Sequence, residues 1–219
     1  MDNKLHRDEE ASALVQFTLV FPLLMLVVLG TVDCGMMFFS YAGAYKATYA
    51  GARFAAVSAP VAPNITSATT GSKAGLSCFD PATGAADATA SCNSWTVVCT
   101  PGSGNSGNCT GSAGAFQNPA FTAILDKMQS YYLYRTLDRR QVVISYQSTG
   151  LGYVSRPGGS PMTVTVSLRC MKHELFFLGP LMNWAFPALP AECSGIPTNA
   201  GMPMPTFATT LPSEDLTTN

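Results

Sequence analysis

The sequence predicts an α+β fold: one long N-terminal transmembrane helix followed by a disulfide-bonded extracytoplasmic domain with a small antiparallel sheet. Three observations carry this. An uncharged apolar run lies near the start of the chain, six of the seven cysteines gather in the C-terminal part, and two β-branched segments of alternating polarity face each other across a Gly/Pro-rich stretch. Only 11% of the 219 residues are charged and 47% are apolar. Soluble domains usually carry about 25% charge, so part of this chain is not built to face water.

Residues 11–32, ASALVQFTLVFPLLMLVVLGTV, contain no Asp, Glu, Lys or Arg. As a helix they rise roughly 33 Å, about the thickness of a hydrocarbon core, so the segment can span a membrane. A cleaved secretory signal fits less well. Its apolar region runs about 7–15 residues behind a basic start, whereas Asp8, Glu9 and Glu10 precede this one. Beyond Val32, the residues Met36, Met37, Phe39, Ala44, Ala47, Ala50, Phe54 and Val57 recur every three or four positions, and no proline intervenes before Pro60. The spacing predicts one helix over 11–58, membrane-spanning to about 33, whose second half packs a domain along one face. Pro22 removes a backbone donor from the membrane half and is expected to kink it. Residues 1–10 read as a cytoplasmic leader, with Lys4 and Arg7 set against Asp2, Asp8, Glu9 and Glu10 and hence little positive-inside bias.

Cysteine usage orients the chain better. Cys78, Cys92, Cys99, Cys109, Cys170 and Cys193 lie in a Gly-, Ser- and Thr-rich region and read as three disulfides in an oxidising compartment. Six cysteines allow 15 pairings, and nothing in their spacing selects one. Zinc is the weaker reading, because no two of them form a C-x-x-C and His173 is the only histidine nearby. Cys34, at the end of the apolar run, is left over.

Residues 59–219 therefore form the extracytoplasmic α+β domain. Its first part, 59–117, is loop-rich with one short strand at 95–99, and cannot build a core unaided. Two glycosylation sequons lie within it, at Asn64 and Asn108. Asn118-Pro119 reads as a helix start, with Asn as cap and Pro at the first helical position, and Ala120, Ile124, Leu125, Met128 and Tyr132 then share a face. Residues 141–147 (QVVISYQ) and 162–168 (MTVTVSL) alternate as strands and are joined as a hairpin through TGLGYVSRPGGSP. An apolar stretch, ELFFLGPLMNWAF, is divided by Pro180 and gives way to a Pro-rich tail over 187–219.

Catalysis is not indicated. His173 is the only histidine of the domain, and no G-x-S-x-G elbow, phosphate loop or H-E-x-x-H pair occurs. Nothing in the sequence brings Glu174 and Glu192 together as paired carboxylates. No cofactor or metal is expected. A formal net charge of −1 disfavours nucleic acid as a partner. Tyr131, Tyr132 and Tyr134 beside Arg135 read as core on one side and rim on the other.

Residues from ASALVQFTLVFPLLMLVVLGTVDCGMMFF to AYKATYAGARFAAV resemble the TadE-like family, the pilin-like proteins of tight-adherence (Flp) pilus systems. The features that match are Ala11, the Ser12-to-Phe17 stretch, Pro22-Leu23-Leu24, Asp33 with Gly35, and Ala47 through Gly51-Ala52-Arg53. The resemblance implies a non-enzymatic minor pilin or pseudopilin of the bacterial inner membrane. Its N-terminus would be cytoplasmic and its domain periplasmic or extracellular, and it would take part in pilus assembly, surface attachment or secretion. It also implies other pilus subunits as partners and a prepilin peptidase acting between Ala11 and Ser12. Pro22, Asp33, Gly51 and Arg53 would serve helix and subunit packing. Two positions depart from the family pattern: Ala11 stands where glycine usually precedes the cut, and Gln16 stands in place of a glutamate. That carboxylate is thought to meet the new N-terminal ammonium of a neighbouring subunit, offsetting the cost of burying either charge. Gln16 offers only a neutral amide. The alternative is an anchored binding domain that never joins a filament.

Overall fold

The computed structural model describes the backbone of residues 2–63, 65, 95–110, 115–149, 162–179, 185, 187–196 and 201–213, with side chains from Leu14 onward. Good helix formers in the leader let the first helix, α1, begin ahead of the apolar run, and it extends over Asp2–Val57 with Pro22 inside it. Pro60 follows its end, as a ring that cannot continue the ladder requires.

The second half of α1 packs by means of small residues. Ala44, Ala47, Gly51, Ala52 and Ala55 are buried on one face. That face meets a second helix, α2 (Asn118–Tyr131), and a sheet. The sheet has five strands in the order β2-β1-β3-β4-β7, every neighbouring pair antiparallel: β1 Thr96–Pro101, β2 Gly107–Cys109, β3 Val142–Ser148, β4 Met162–Leu168 and β7 Phe207–Ser213. A separate two-stranded ribbon joins β5 (Lys172–His173) to β6 (Met202–Pro203).

The predicted hairpin is present, β3 and β4 pairing from Val142 opposite Leu168 to Ser148 opposite Met162. Alternation decides which face is inside: Met162, Val164, Val166 and Leu168 are buried while Thr163, Thr165 and Ser167 between them are half-exposed. They meet Phe121, Ile124 and Met128 of α2 and Tyr132 just beyond it in one core. The strand expected at 95–99 is β1. The Pro-rich tail holds a strand that the sequence reading did not assign. There β7 pairs along the whole of β4, with Pro212 at a sheet edge where a missing donor is tolerated.

The start of α2 corrects a detail. Gln117 holds the cap position without a side-chain bond, and Asn118 is already helical. Its Oδ1 instead accepts a hydrogen bond from Arg139 Nη2 at 2.8 Å, drawing α2 towards the 3-10 turn Arg139–Gln141. Phe121, absent from the predicted face, is fully buried, whereas Ala120 and Leu125 are half-buried.

Two disulfides are present among the described residues. Cys99–Cys109 joins opposed positions of β1 and β2, and Cys170–Cys193 ties the end of β4 to a later turn. Cys78, Cys92, the sequon at Asn64, the hairpin connection over 150–161 and most of the predicted loop-rich region lie outside the described residues. Tyr146 fastens the chain where it leaves α1. Its buried hydroxyl, pushed up to about 12 by burial, accepts the Val61 N–H at 3.0 Å, and the Val61 carbonyl accepts Gln117 N–H at 2.8 Å.

Candidate functional site

An apolar helix that serves as the core of a soluble protein is covered by that protein. None of the most apolar stretch of α1 is buried, and Leu14, Phe17, Leu19, Leu23 and Leu24 all stand exposed. By length and composition α1 can cross a membrane. Gln16 is exposed on this stretch, and Ala11 and Ser12 lie in its helical backbone.

Where the apolar run ends, Asp33 is buried rather than solvated. Its Oδ1 accepts the Phe176 N–H at 3.0 Å, and its Oδ2 accepts those of Phe177 at 3.0 Å and Leu178 at 2.8 Å. Three successive backbone donors on one carboxylate form the bond pattern of a helix cap, here supplied from another part of the chain. Leu178 reaches Gly30, one turn earlier on α1, where a Cβ would sit 3.6 Å from its Cδ1. The segment after β5 is thereby held against the last turn of the apolar run. Sequence reasoning marked Asp33 but not its partners, because backbone donors carry no residue signature.

His173 stands three residues before Phe176. Its ring is fully buried, lies 5.1 Å from the Tyr134 ring, and has no hydrogen-bond partner on either nitrogen among the described residues. Gly201, at φ 146°, presses so closely on the His173 carbonyl that a Cβ there would collide with it. Burial lowers the His173 pKa, against the opposing pull of Asp33 and Glu174. The folded protein thus holds this ring neutral where the unfolded chain would take up a proton. Its contribution to stability is present above the unfolded value of about 6.5 and is lost as pH falls below it. Thermal unfolding at pH 7.5 and 5.5 is expected to show an acid loss in the parent that shrinks in His173→Phe; an equal loss in both would exclude His173 as its source.

Higher on α1, Tyr45, Lys46, Tyr49 and Arg53 join Lys127 and Tyr131 of α2 around an open groove of about 460 Å³. Lys127 Nζ lies 5.7 Å from the Tyr131 ring centre. Such a groove can stack and neutralise a ligand but holds no nucleophile with a base beside it. The tyrosine cluster of the sequence divides as expected, Tyr132 buried and Tyr131 exposed. Gly51 is placed where α1, α2 and β4 cross: a Cβ there would lie 2.5 Å from Met128 Cγ and 3.4 Å from Val166 Cγ1. Its neighbour Arg53 faces outward. Among the described residues, no three His, Cys, Asp or Glu side chains are grouped so as to hold a metal ion.

Most of the long helix, most of its small-residue face and its buried acid fall in one segment, and that segment is where the comparison with protein families succeeds. Residues 11–53 match the TadE-like protein family. The match ends at the Gly-Ala-Arg where α1 crosses α2, so the TadE-like segment contains both the apolar run and the packing face that carries the domain. Comparison with curated proteins and with solved structures finds no match. The TadE-like likeness, confined to residues 11–53, implies involvement with a tight-adherence pilus system.

Proposed function

We propose that this chain is a minor pilin or pseudopilin of a tight-adherence pilus system, anchored in the inner membrane with residues 1–10 cytoplasmic and residues 59–219 outside. The observation that carries the reading is the continuity of α1. One helix is lipid-compatible in its first half and forms the spine of the domain in its second, so the domain is joined to the anchor by continuous helix. The two disulfides fit an oxidising location for the domain. A structural, non-enzymatic role agrees with the TadE-like family in general.

Ala11 and Gln16 favour a second reading, an anchored binding domain outside any filament. Without a carboxylate at Gln16, a neighbouring N-terminal ammonium would be buried with no counter-charge. The N-terminal sequence of the native protein, taken from membrane and from sheared surface fractions, separates the two. A chain that begins at Ser12 and enters sheared filaments is expected; an intact Met1 start confined to the membrane would leave only the anchored domain.

A further inference from the structure

The first charge after an apolar run normally marks where a helix leaves the lipid. Asp33 holds that position in sequence but not in chemistry. It is buried, and three of its acceptor positions are taken by the backbone donors of Phe176, Phe177 and Leu178, so it exposes almost no polar surface. The next charge along α1 is Lys46. Lipid-compatible surface therefore continues past Asp33.

The same three bonds place two phenylalanines at this level, Phe176 59% and Phe177 50% exposed. On α1 itself, Phe38 and Phe39 are 68% and 63% exposed. At about 100° per residue they point roughly 140° to one side of Asp33 and 120° to the other, and helical side chains lean towards the N-terminus, here towards the apolar run. Four exposed phenylalanines thus surround the helix on three sides. Single exposed apolar residues are ordinary, but four large ones around one short stretch of helix, next to an exposed apolar run, mark an interaction surface.

We propose that Phe38, Phe39, Phe176 and Phe177 form a collar seated in the outer lipid interface, giving the domain a second attachment to the bilayer that the Asp33 clamp holds in place. The bilayer is favoured over a second copy of the chain for two reasons. The collar is continuous with the exposed apolar surface of α1, with no exposed charged side chain between them, and it looks outward on three sides where a partner helix would cover only one. This inference rests on the reading of α1 as membrane-spanning.

The test uses the full-length protein in a Cys34→Ser background, one copy per phosphatidylcholine/phosphatidylglycerol nanodisc. A nitroxide is placed in turn at Phe177→Cys, Phe176→Cys, Leu24→Cys and Lys46→Cys, and its collision rates with oxygen and with a water-soluble nickel chelate are compared. The collar predicts an oxygen-to-nickel ratio at 176 and 177 severalfold above that at 46 and below that at 24. Ratios at 176 and 177 equal to that at 46, with 24 still lipid-exposed, would overturn the collar and leave the spanning helix intact. A water-exposed label at 24 would overturn the spanning reading and the collar with it.

Discussion

Asp33→Ala is expected to destabilise the full-length protein by about 2–3 kcal/mol and to release the segment after β5 from α1. The substitution removes no large apolar area. It leaves the N–H groups of Phe176, Phe177 and Leu178 without the acceptors that hold them at 2.8–3.0 Å. A buried donor stripped of its partner costs about 1–3 kcal/mol, and the segment's position at the rim lets water recover part of the sum of three. Asp33→Asn should fall between, because a carboxamide keeps one acceptor oxygen but turns an NH2 towards donors. Thermal unfolding in detergent micelles gives the stability, and hydrogen exchange at the three amides gives the location. Faster exchange there, with little change along β3 and β4, is the expected pattern; unchanged exchange in Asp33→Ala would mean that the carboxylate does not hold this segment.

Gly51→Leu should be the more damaging change, costing about 3 kcal/mol or more, at the upper end of what overpacking does. A bare Cβ at this position would already lie 2.5 Å from Met128 Cγ and 2.9 Å from its Sδ. Behind Met128 lies the core, in which Ile124, Met128 and Val166 are wholly buried, so the side chain has nowhere to retreat without displacing α2 from the sheet. For a chain of this size such a loss corresponds to a fall in Tm of roughly 6–12 °C. Gly51→Ala is expected to cost less, because Met128 is flexible, and to cost less again when combined with Met128→Ala, which opens the space the new methyl needs. The double-mutant cycle should therefore be non-additive. Additive losses, or a Gly51→Leu protein melting with the parent, would show that α1 and α2 do not cross at this glycine. The TadE-like match ends at Gly51-Ala52-Arg53, and this packing gives the small residues of that segment a physical purpose within a single chain.

Features that depend on neighbouring residues could be read from the chain alone. An uncharged run long enough for a bilayer, followed by apolar residues every three or four positions, is a property of one segment, and α1 follows from it. Alternation with period two works in the same way for β3 and β4, and the turn-rich stretch between them brings the pair together. Disulfide bonding could likewise be inferred from cysteine number and placement, though not from any spacing that would have singled out Cys99–Cys109 or Cys170–Cys193.

Tertiary structure decided the remainder. Asn118 resembles a helix cap by its neighbours, yet Arg139 claims its oxygen. The residues of β7 form a strand because β4 offers a free edge to pair with, and nothing local to FATTLPS announces that edge. Asp33 and the Phe176–Leu178 amides are more than 140 residues apart in sequence and meet only because β5 returns the chain to α1. The sequence by itself determined α1 with its apolar run, α2 and the β3–β4 hairpin, because periodicity, length and composition act over a few turns of chain. Which surfaces close on one another, and so which acid is masked and which phenylalanines stay exposed, was settled by long-range packing, whose energies belong to pairs of elements and not to either member alone.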